Sequence, residues 1–323
     1  MSRIWRICSV FLVCCLGGLF NVAHAQSSSI VRLVVPYPAG GSADILARIL
    51  QQPLQEQLKA TVVVENRPGA GGRIAASQMK REPADGTVIL LAPNALSTIA
   101  SLVYADQLDY SMADFKPLSK LASYPFALSV PAESTLRSAG DFRDQARANP
   151  GTASYGTPGA GGMAHFSGVA LGKAIGVELT VVPYRGGAPM LVDLMGNHVA
   201  AGIDTLGDHL EQHRAGKIRV LGILSQSRYA LASDIPTLEE QGISMGSIEG
   251  WYGTFVPAAT PAEVVSRLDQ AFERILADRG IQDQLALKAL ETSYLSSAEF
   301  SKLQEEELRM WAPIVRDSGF KPN

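Results

Sequence analysis

The chain has 323 residues, with 28 Lys and Arg against 31 Asp and Glu and a formal net charge of −3. A chain of this length can form one large or two medium domains with substantial hydrophobic cores. The weakly acidic balance, without a dense basic run, excludes nucleic acid as a partner and argues against a membrane-surface helix.

The first 25 residues are typical of a secretory signal peptide. Arg3 and Arg6 precede an apolar run over residues 7–20, which ends at the small-x-small site Ala23-His24-Ala25. The run is shorter than the roughly 20 residues that a membrane-spanning helix needs. We therefore predict cleavage after Ala25 and export to a bacterial periplasm rather than a retained anchor.

All three cysteines, Cys8, Cys14 and Cys15, lie inside this predicted signal peptide. The mature chain therefore has no thiol nucleophile, no thiolate metal site and no disulfide framework. We expect neither a cofactor nor a metal.

Strand-like and helix-like runs alternate along most of the remaining chain, a pattern typical of parallel α/β sheets with helices on both faces. Predicted strands are at 31–35, 61–65, 88–92, 126–130, 152–155, 200–203, 219–223 and 253–256. Predicted helices are at 43–57, 72–80, 138–148, 163–175, 261–278, 281–290 and 297–317.

A short internal sequence repeat indicates two lobes of similar design. Glu178-Leu-Thr-Val-Val-Pro-Tyr184 follows the same pattern as Arg32-Leu-Val-Val-Pro-Tyr37, and a Gly-Gly pair follows each. A repeat of seven residues can also arise by chance. We predict that residues 26–127 and 228–323 form lobe I and residues 128–227 form lobe II. The predicted crossings are at 126–130 and 220–227, and the cleft lies between the lobes.

The most informative segment is the first strand–turn–helix unit, residues 31–50. Gly40 and Gly41 carry no Cβ, so a ligand can approach the main chain closely where the turn enters the helix. The free amides and the positive end of the helix dipole favour an anion there. Because residues 36–47 contain no Lys or Arg, we expect a small carboxylate, held by amides and by Ser42, rather than a phosphate.

A second glycine-rich turn, Tyr155-Gly-Thr-Pro-Gly-Ala-Gly-Gly-Met-Ala-His165, again joins a strand to a helix and predicts a facing set of amides. Three nearby polar residues have two interpretations each. Asp44 either stabilises its helix dipole or accepts a ligand donor. His165 is either a packing or capping residue or a catalytic one, and no Ser or Cys can be paired with it by spacing. Asp204 ends a strand, at the edge where α/β sheets bind ligands, and is either a ligand contact or structural.

Two enzyme motifs occur in incomplete form. Gly242-Ile-Ser-Met-Gly246 matches the serine-hydrolase elbow, but no strand is predicted before it and no histidine follows it. His209 and His213 share a helix face without the glutamate of a zinc motif, so we predict that this face is solvated.

Several motifs together, in this order, resemble the Bug family of extracytoplasmic solute receptors, the binding components of tripartite tricarboxylate transporters. They are Pro36-Tyr-Pro-Ala-Gly-Gly-Ser-Ala-Asp44, Val64-Glu-Asn-Arg-Pro-Gly-Ala-Gly-Gly72, Asp85-Gly86, Tyr155-Gly-Thr-Pro-Gly159 with His165, Val182-Pro-Tyr-Arg-Gly-Gly187, Ala215-Gly-Lys217 and Asp234-Ile-Pro-Thr237.

The resemblance implies an α/β, type II periplasmic-binding-protein fold, in which two lobes close over a small carboxylate. Carried over residue by residue, it nominates ligand contacts in both lobes and assigns to Asp204 the sensing of the rest of the ligand. The other nominated residues are Tyr37, Ala39, Gly40, Gly41, Ser42 and Asp44 in lobe I, and Tyr155, Gly156, Thr157, Ala160 and His165 in lobe II.

We therefore expect a monomeric receptor that captures a small carboxylate and delivers it to membrane transporter subunits without turning it over. Two alternatives remain open at this point: an exported hydrolase acting on a carboxylate or ester, and a ligand-binding co-sensor for a signalling kinase. The hydrolase lacks a nucleophile–base pair that can be recognised by spacing.

Overall fold

The structure is a computed structural model that describes residues 30–322. The predicted signal peptide lies outside the described residues. The strands are β1 Ile30–Val35, β2 Thr61–Asn66, β3 Val88–Pro93, β4 Phe115–Pro131, β5 Ser154–Thr157, β6 Thr180–Pro183, β7 Gly202–Thr205, β8 Ile218–Ile223, β9 Glu249–Pro257 and β10 Glu291–Leu295.

The α-helices are α1 Ser42–Leu58, α2 Arg73–Met79, α3 Ala100–Val103, α4 Ala139–Ala148, α5 Met163–Ile175, α6 Gly187–Met195, α7 Leu206–Arg214, α8 Ala262–Leu276, α9 Arg279–Ala286 and α10 Ser297–Asp317. A short π-helix, Ala95–Ile99, leads directly into α3. Within residues 30–322, no helix combines the length and the apolar character needed to cross a bilayer.

The strands form one curled sheet with two parallel halves. In the first half, β1 pairs in parallel with β2 and β3. In the second half, β5 pairs in parallel with β6 and β7. The order across the sheet is β2-β1-β3-β9-β4-β7-β5-β6, and β8 and β10 also pair with β4. The predicted pair of α/β lobes is confirmed.

Strand β4 belongs to both halves of the sheet. Its residues 115–125 pair with β9, and residues 126–131 pair with β7 and β8. The sequence predicts only the second part of this strand, and the prediction is wrong about where the strand starts. Pro117 and Pro125 have no backbone N–H to donate to a neighbouring strand, and the pairing register shifts after Pro117. The sequence of this part therefore lacks the regular alternation of apolar and polar residues that predicts a strand.

Helices pack on both faces of the first half. On one face, Leu46 and Leu50 of α1 meet Phe272 of α8 in one core cluster. On the opposite face, Trp251 and Phe300 belong to a second cluster, with ring centroids 4.8 Å apart. The second half packs around Tyr155 and Phe166 in a third cluster, which also takes in Ile99, Trp311 and Val315. Helix α10 therefore contributes apolar side chains to the core of the second half as well as to that of the first.

Candidate functional site

The first glycine turn connects β1 to α1 and is folded by Asp44, the third residue of the helix. One carboxylate oxygen, Oδ2, accepts from the Gly40 backbone N–H and from Arg48 Nε, both at 2.9 Å. The other, Oδ1, accepts from Asn66 Nδ2 at 3.0 Å. The hydrogen bond from Arg48, aided by those from Gly40 and Asn66, lowers the pKa of this carboxyl to about 2. The charged side chain thus fixes the shape of the turn.

The rest of the turn is open to solvent. Ala39, Gly40, Gly41 and Ser42 are exposed, and no side chain caps the first turn of α1. Gly40 has a φ of 91°, which favours glycine, whereas Gly41 has a φ of −78° that any residue can adopt. The N-terminus of α1 therefore presents amides and a partial positive charge to whatever enters.

A cavity of about 340 Å³ lies between this helix N-terminus and the second half of the sheet. Ser42, Tyr124 and Tyr252 line it on the side of the first half, and Thr205, Gly207 and Asp208 line it on the side of the second half. The turn formed by Leu287, Lys288, Ala289 and Leu290 forms a further wall. The volume is within the range of small-molecule sites.

Tyrosine side chains form the floor of the cavity. The rings of Tyr124 and Tyr252 lie 5.2 Å apart, and Tyr37 packs with Tyr252 and Tyr124 against the core of the first half. Burial raises the pKa of Tyr252 to about 12, an effect partly offset by the hydroxyls of Ser42 and Tyr124. Burial also raises the pKa of Tyr37 and of Tyr124. At neutral pH these phenols are uncharged and can act as hydrogen-bond donors.

Asp204 lies at the end of β7, next to two of the lining residues. Its Oδ1 accepts from the Thr205 backbone N–H at 2.7 Å, whereas its buried Oδ2 has no partner among the described residues. Burial first, and then the negative charge of Asp208, raise the pKa of this carboxyl to about 7. Oδ2 lies so close to Gly187 that a Cβ there would be only 2.5 Å away.

The second glycine-rich turn is more closed than the first. The Tyr155 hydroxyl donates to the His165 carbonyl oxygen at 2.6 Å, and the backbone N–H of Gly161 donates to His165 Nδ1 at 2.9 Å. His165 stacks on Phe166, and burial lowers its pKa. Gly156 and Thr157 are buried as well, whereas Ala160 is exposed.

Tyr155 and His165 line a different cavity, of about 690 Å³, which they share with Ile314 and Asp317 of α10. The structure therefore does not bring their side chains together with Ser42. Of the nominated residues, Ser42 lines the cavity between the lobes, and the other residues of the first turn lie beside it. The ligand contacts of the nominated residues stay predictions.

The predicted solvated histidine face is wrong for His209. This residue is fully buried, with its Nδ1 2.7 Å from Ser129 Oγ of β4. Burial lowers its pKa to about 4. Helix α7 packs this face on β4, which spacing within the helix alone does not reveal. Sequence spacing also gives no reason to pair Ser129 with a histidine 80 residues away.

Two α/β lobes on a shared sheet, with a cavity at their junction and an uncapped helix end beside it, define a two-lobed solute-binding protein. Residues 46–320 match the model of the family described as tripartite tricarboxylate transporter family receptor. The chain belongs to this family, which is one of solute-binding receptors rather than enzymes.

Individual relatives agree with this family. A Pseudomonas sp. protein described as the UPF0065 protein in the tcbD-tcbE intergenic region is 31% identical, over 90% of this chain and 86% of its own. BugT of Bordetella pertussis is 27% identical over 99% of both chains. The resemblance to the Bug family is confirmed.

Solved structures share the fold. A TctC solute-binding protein from Polaromonas, solved without ligand, has a TM-score of 0.80 and 26% identity, over 90% of this chain and 99% of its own. Rpa4515 of R. palustris, solved with adipate, has a TM-score of 0.77 and 32% identity, over 91% of this chain and 98% of its own. The predicted fold class is confirmed.

Proposed function

We propose that this protein is a periplasmic receptor that captures one small organic carboxylate between its lobes and delivers it to a membrane transporter of the tripartite tricarboxylate type. Its export signal is removed after Ala25, and it works as a monomer without cofactor or metal. The adipate bound to Rpa4515, which is 32% identical, supports a carboxylate as the ligand.

The carboxylate binds at the first glycine turn. The Gly40 N–H already donates to the Asp44 carboxylate, so the backbone N–H groups available to a ligand are those of Gly41 and of the first turn of α1. Ser42 adds a hydroxyl at the edge of the cavity. Asp204 senses the part of the ligand that reaches the second lobe through its neighbours Thr205 and Asp208, which line the cavity, since its own Oδ2 is buried and has no partner within residues 30–322.

Lobe I comprises residues 26–127 and 228–323, and lobe II comprises residues 128–227. The pairing of β4 supports this division, because its partner changes from β9 to β7 between Pro125 and Phe126. A ligand that contacts both lobes favours the closed arrangement, which the membrane partner then recognises.

The receptor does not turn its ligand over. The Ser129 and His209 side chains approach to 2.7 Å, but both residues are fully buried, so a solute in the cleft does not reach them. His209 Nε2 has no carboxylate partner to orient the ring among the described residues. The contact is better explained as a buried polar pair between α7 and β4.

The observation that carries this proposal is the exposed, uncapped end of α1 beside the cavity, and Gly41 offers a clean test of it. A Cβ at Gly41 would have Pro38 O as its nearest atom, at 3.8 Å, so Gly41→Val should fold normally. Its side chain would fill the space in front of the amides. We expect calorimetry to show at least a tenfold loss of adipate affinity, about 1.4 kcal/mol.

The matched control is Gly151→Val, at an exposed position with open space around its Cβ and away from the cavity. It should bind adipate as the unmodified protein does. Equal affinities for the Gly41 and Gly151 variants, with both proteins folded, would count against the glycine turn as the carboxylate site.

A further inference from the structure

The wall of the cavity formed by residues 287–290 is a well-defined turn rather than a loose loop. The Leu290 N–H donates to the Leu285 carbonyl at 3.1 Å, and the Ala289 N–H donates to the Ala286 carbonyl at 3.0 Å. Ala289 has a left-handed φ of 55°. This pattern is a Schellman motif, which closes the end of α9 and fixes the direction of the turn.

The turn also touches the opposite lobe. A Cβ built on Gly207, in the first turn of α7, would lie 3.0 Å from the Ala289 Cβ. The turn therefore spans the junction between the lobes, and the residue before Ala289, Lys288, lies at the side of the cavity.

Among the described residues that line this cavity, Lys288 is the only one with a cationic side chain. It is exposed, and its ammonium group has no ion pair or hydrogen bond within residues 30–322. Asp208 lines the same cavity, but its Oδ2 accepts from Thr205 Oγ1 at 2.9 Å. Without a nearby cation, the Asp208 charge would disfavour an acid group in this part of the cavity.

The cavity thus offers two separate positions for negative charge. One is the amide-rich end of α1 at Ser42, and the other is Lys288 on the wall formed by residues 287–290. A lysine ammonium is a compact charge that attracts a carboxylate from several directions. A monocarboxylate uses one of these positions, whereas a dicarboxylate uses both.

We propose that Lys288 binds the second acid group of the ligand, so that the receptor selects dicarboxylates over monocarboxylates of the same chain length. This inference rests on the proposed function, because it assumes that the first carboxylate occupies the glycine turn. Lys288 is then a specificity-determining residue contributed by the end of α9.

The test compares acids that differ by one carboxylate: adipate with hexanoate, and succinate with butanoate. Calorimetry gives the dissociation constants for the unmodified protein, Lys288→Met and Lys288→Arg. We expect Lys288→Met to weaken dicarboxylate binding about five- to tenfold and to leave monocarboxylate binding unchanged. A loss of about five- to tenfold lies between the effects of removing an exposed charge pair and a desolvated one. Lys288→Arg keeps the charge and should retain the preference for the dicarboxylate.

Lys217→Met is the matched control, because Lys217 is exposed and follows the far end of α7, away from the cavity. It should behave as the unmodified protein. If Lys288→Met loses nothing, or weakens both acids of a pair equally, the role of Lys288 is overturned while the receptor function stands. If the unmodified protein binds none of the four acids, the proposed function falls, and the role of Lys288 with it.

Discussion

Asp44 and Asp204 both lie near the cleft, but their surroundings shift their carboxyl pKa in opposite directions. Asp44 accepts three hydrogen bonds, one of them from Arg48, and is held as a carboxylate. Asp204 accepts one hydrogen bond and is buried beside a second acid, Asp208. The first aspartate therefore keeps its charge to shape the turn, while the second holds a proton near neutral pH.

Asp204 should make stability depend on pH. Its pKa is about 7 in the folded protein and near 3.8 in an unfolded chain, so between these values the folded state binds the additional proton. Its contribution favours folding below pH 4 and is lost as pH rises through 7. In urea unfolding, the free energy of unfolding of the unmodified protein should therefore decrease by on the order of 2–4 kcal/mol between pH 4 and 8 because of Asp204. Asp204→Asn should remove this decrease.

Asp208→Asn provides a second check, because removing the neighbouring negative charge should lower the pKa of Asp204. The free energy of unfolding should then fall less between pH 4 and 8 than it does in the unmodified protein, but it should still fall. If the unmodified protein and Asp204→Asn show the same dependence on pH, Asp204 is charged in the folded state and this account of its environment is wrong.

At the level of single residues, the sequence predicts the cavity residues that are close together in the chain and misses those that come from distant segments. Ser42 and the glycine turn are contiguous, so their strand–turn–helix context reveals them. Tyr124, Tyr252 and Lys288 come from β4, β9 and the end of α9. Only the tertiary fold brings these segments together, and each residue alone has an ordinary structural explanation.

Most elements follow their local patterns. The unit formed by β1 and α1 matches its predicted bounds within one residue, and the predicted helix over 163–175 is α5. The sequence does not predict β10, a short strand that pairs with β4 alone. The helix predicted to reach 290 ends at Ala286, because the left-handed Ala289 turns the chain. That conformation usually needs glycine, so the alanine gave no stop signal.

The end of α1 offers a stability test at the scale of one helix. Lys59 closes this helix in a left-handed conformation with a φ of 52°, and it is exposed. Glycine has no Cβ to strain this conformation, so Lys59→Gly should raise the free energy of unfolding by about 0.5–1 kcal/mol. Urea denaturation measures this difference.

Lys59→Ala serves as the control, because it removes the charged side chain and keeps the Cβ. Its free energy of unfolding should not increase by a comparable amount. Equal stabilisation by alanine and glycine would mean that the lysine side chain, rather than the backbone conformation, limits the stability of this helix end.

The whole molecule is organised by β4, which gives both lobes a common strand. Because β4 changes partners between Pro125 and Phe126, we expect closure to be a hinge motion near this point. Gly207 and Ala289 lie close together across the two halves, and we expect this contact to limit how far the lobes can close.

Substitution at Gly207 tests whether that contact sets the closed position. Gly207→Val places a branched side chain where even a Cβ would lie 3.0 Å from Ala289, so the lobes should be held further apart. We expect adipate affinity to fall about tenfold, and the decrease in radius of gyration on adding adipate, measured by small-angle X-ray scattering, to be smaller than in the unmodified protein. The double variant Gly207→Ala with Ala289→Gly moves the Cβ from one side of the contact to the other and should recover both properties. If Gly207→Val compacts and binds adipate as the unmodified protein does, the lobes meet elsewhere when they close.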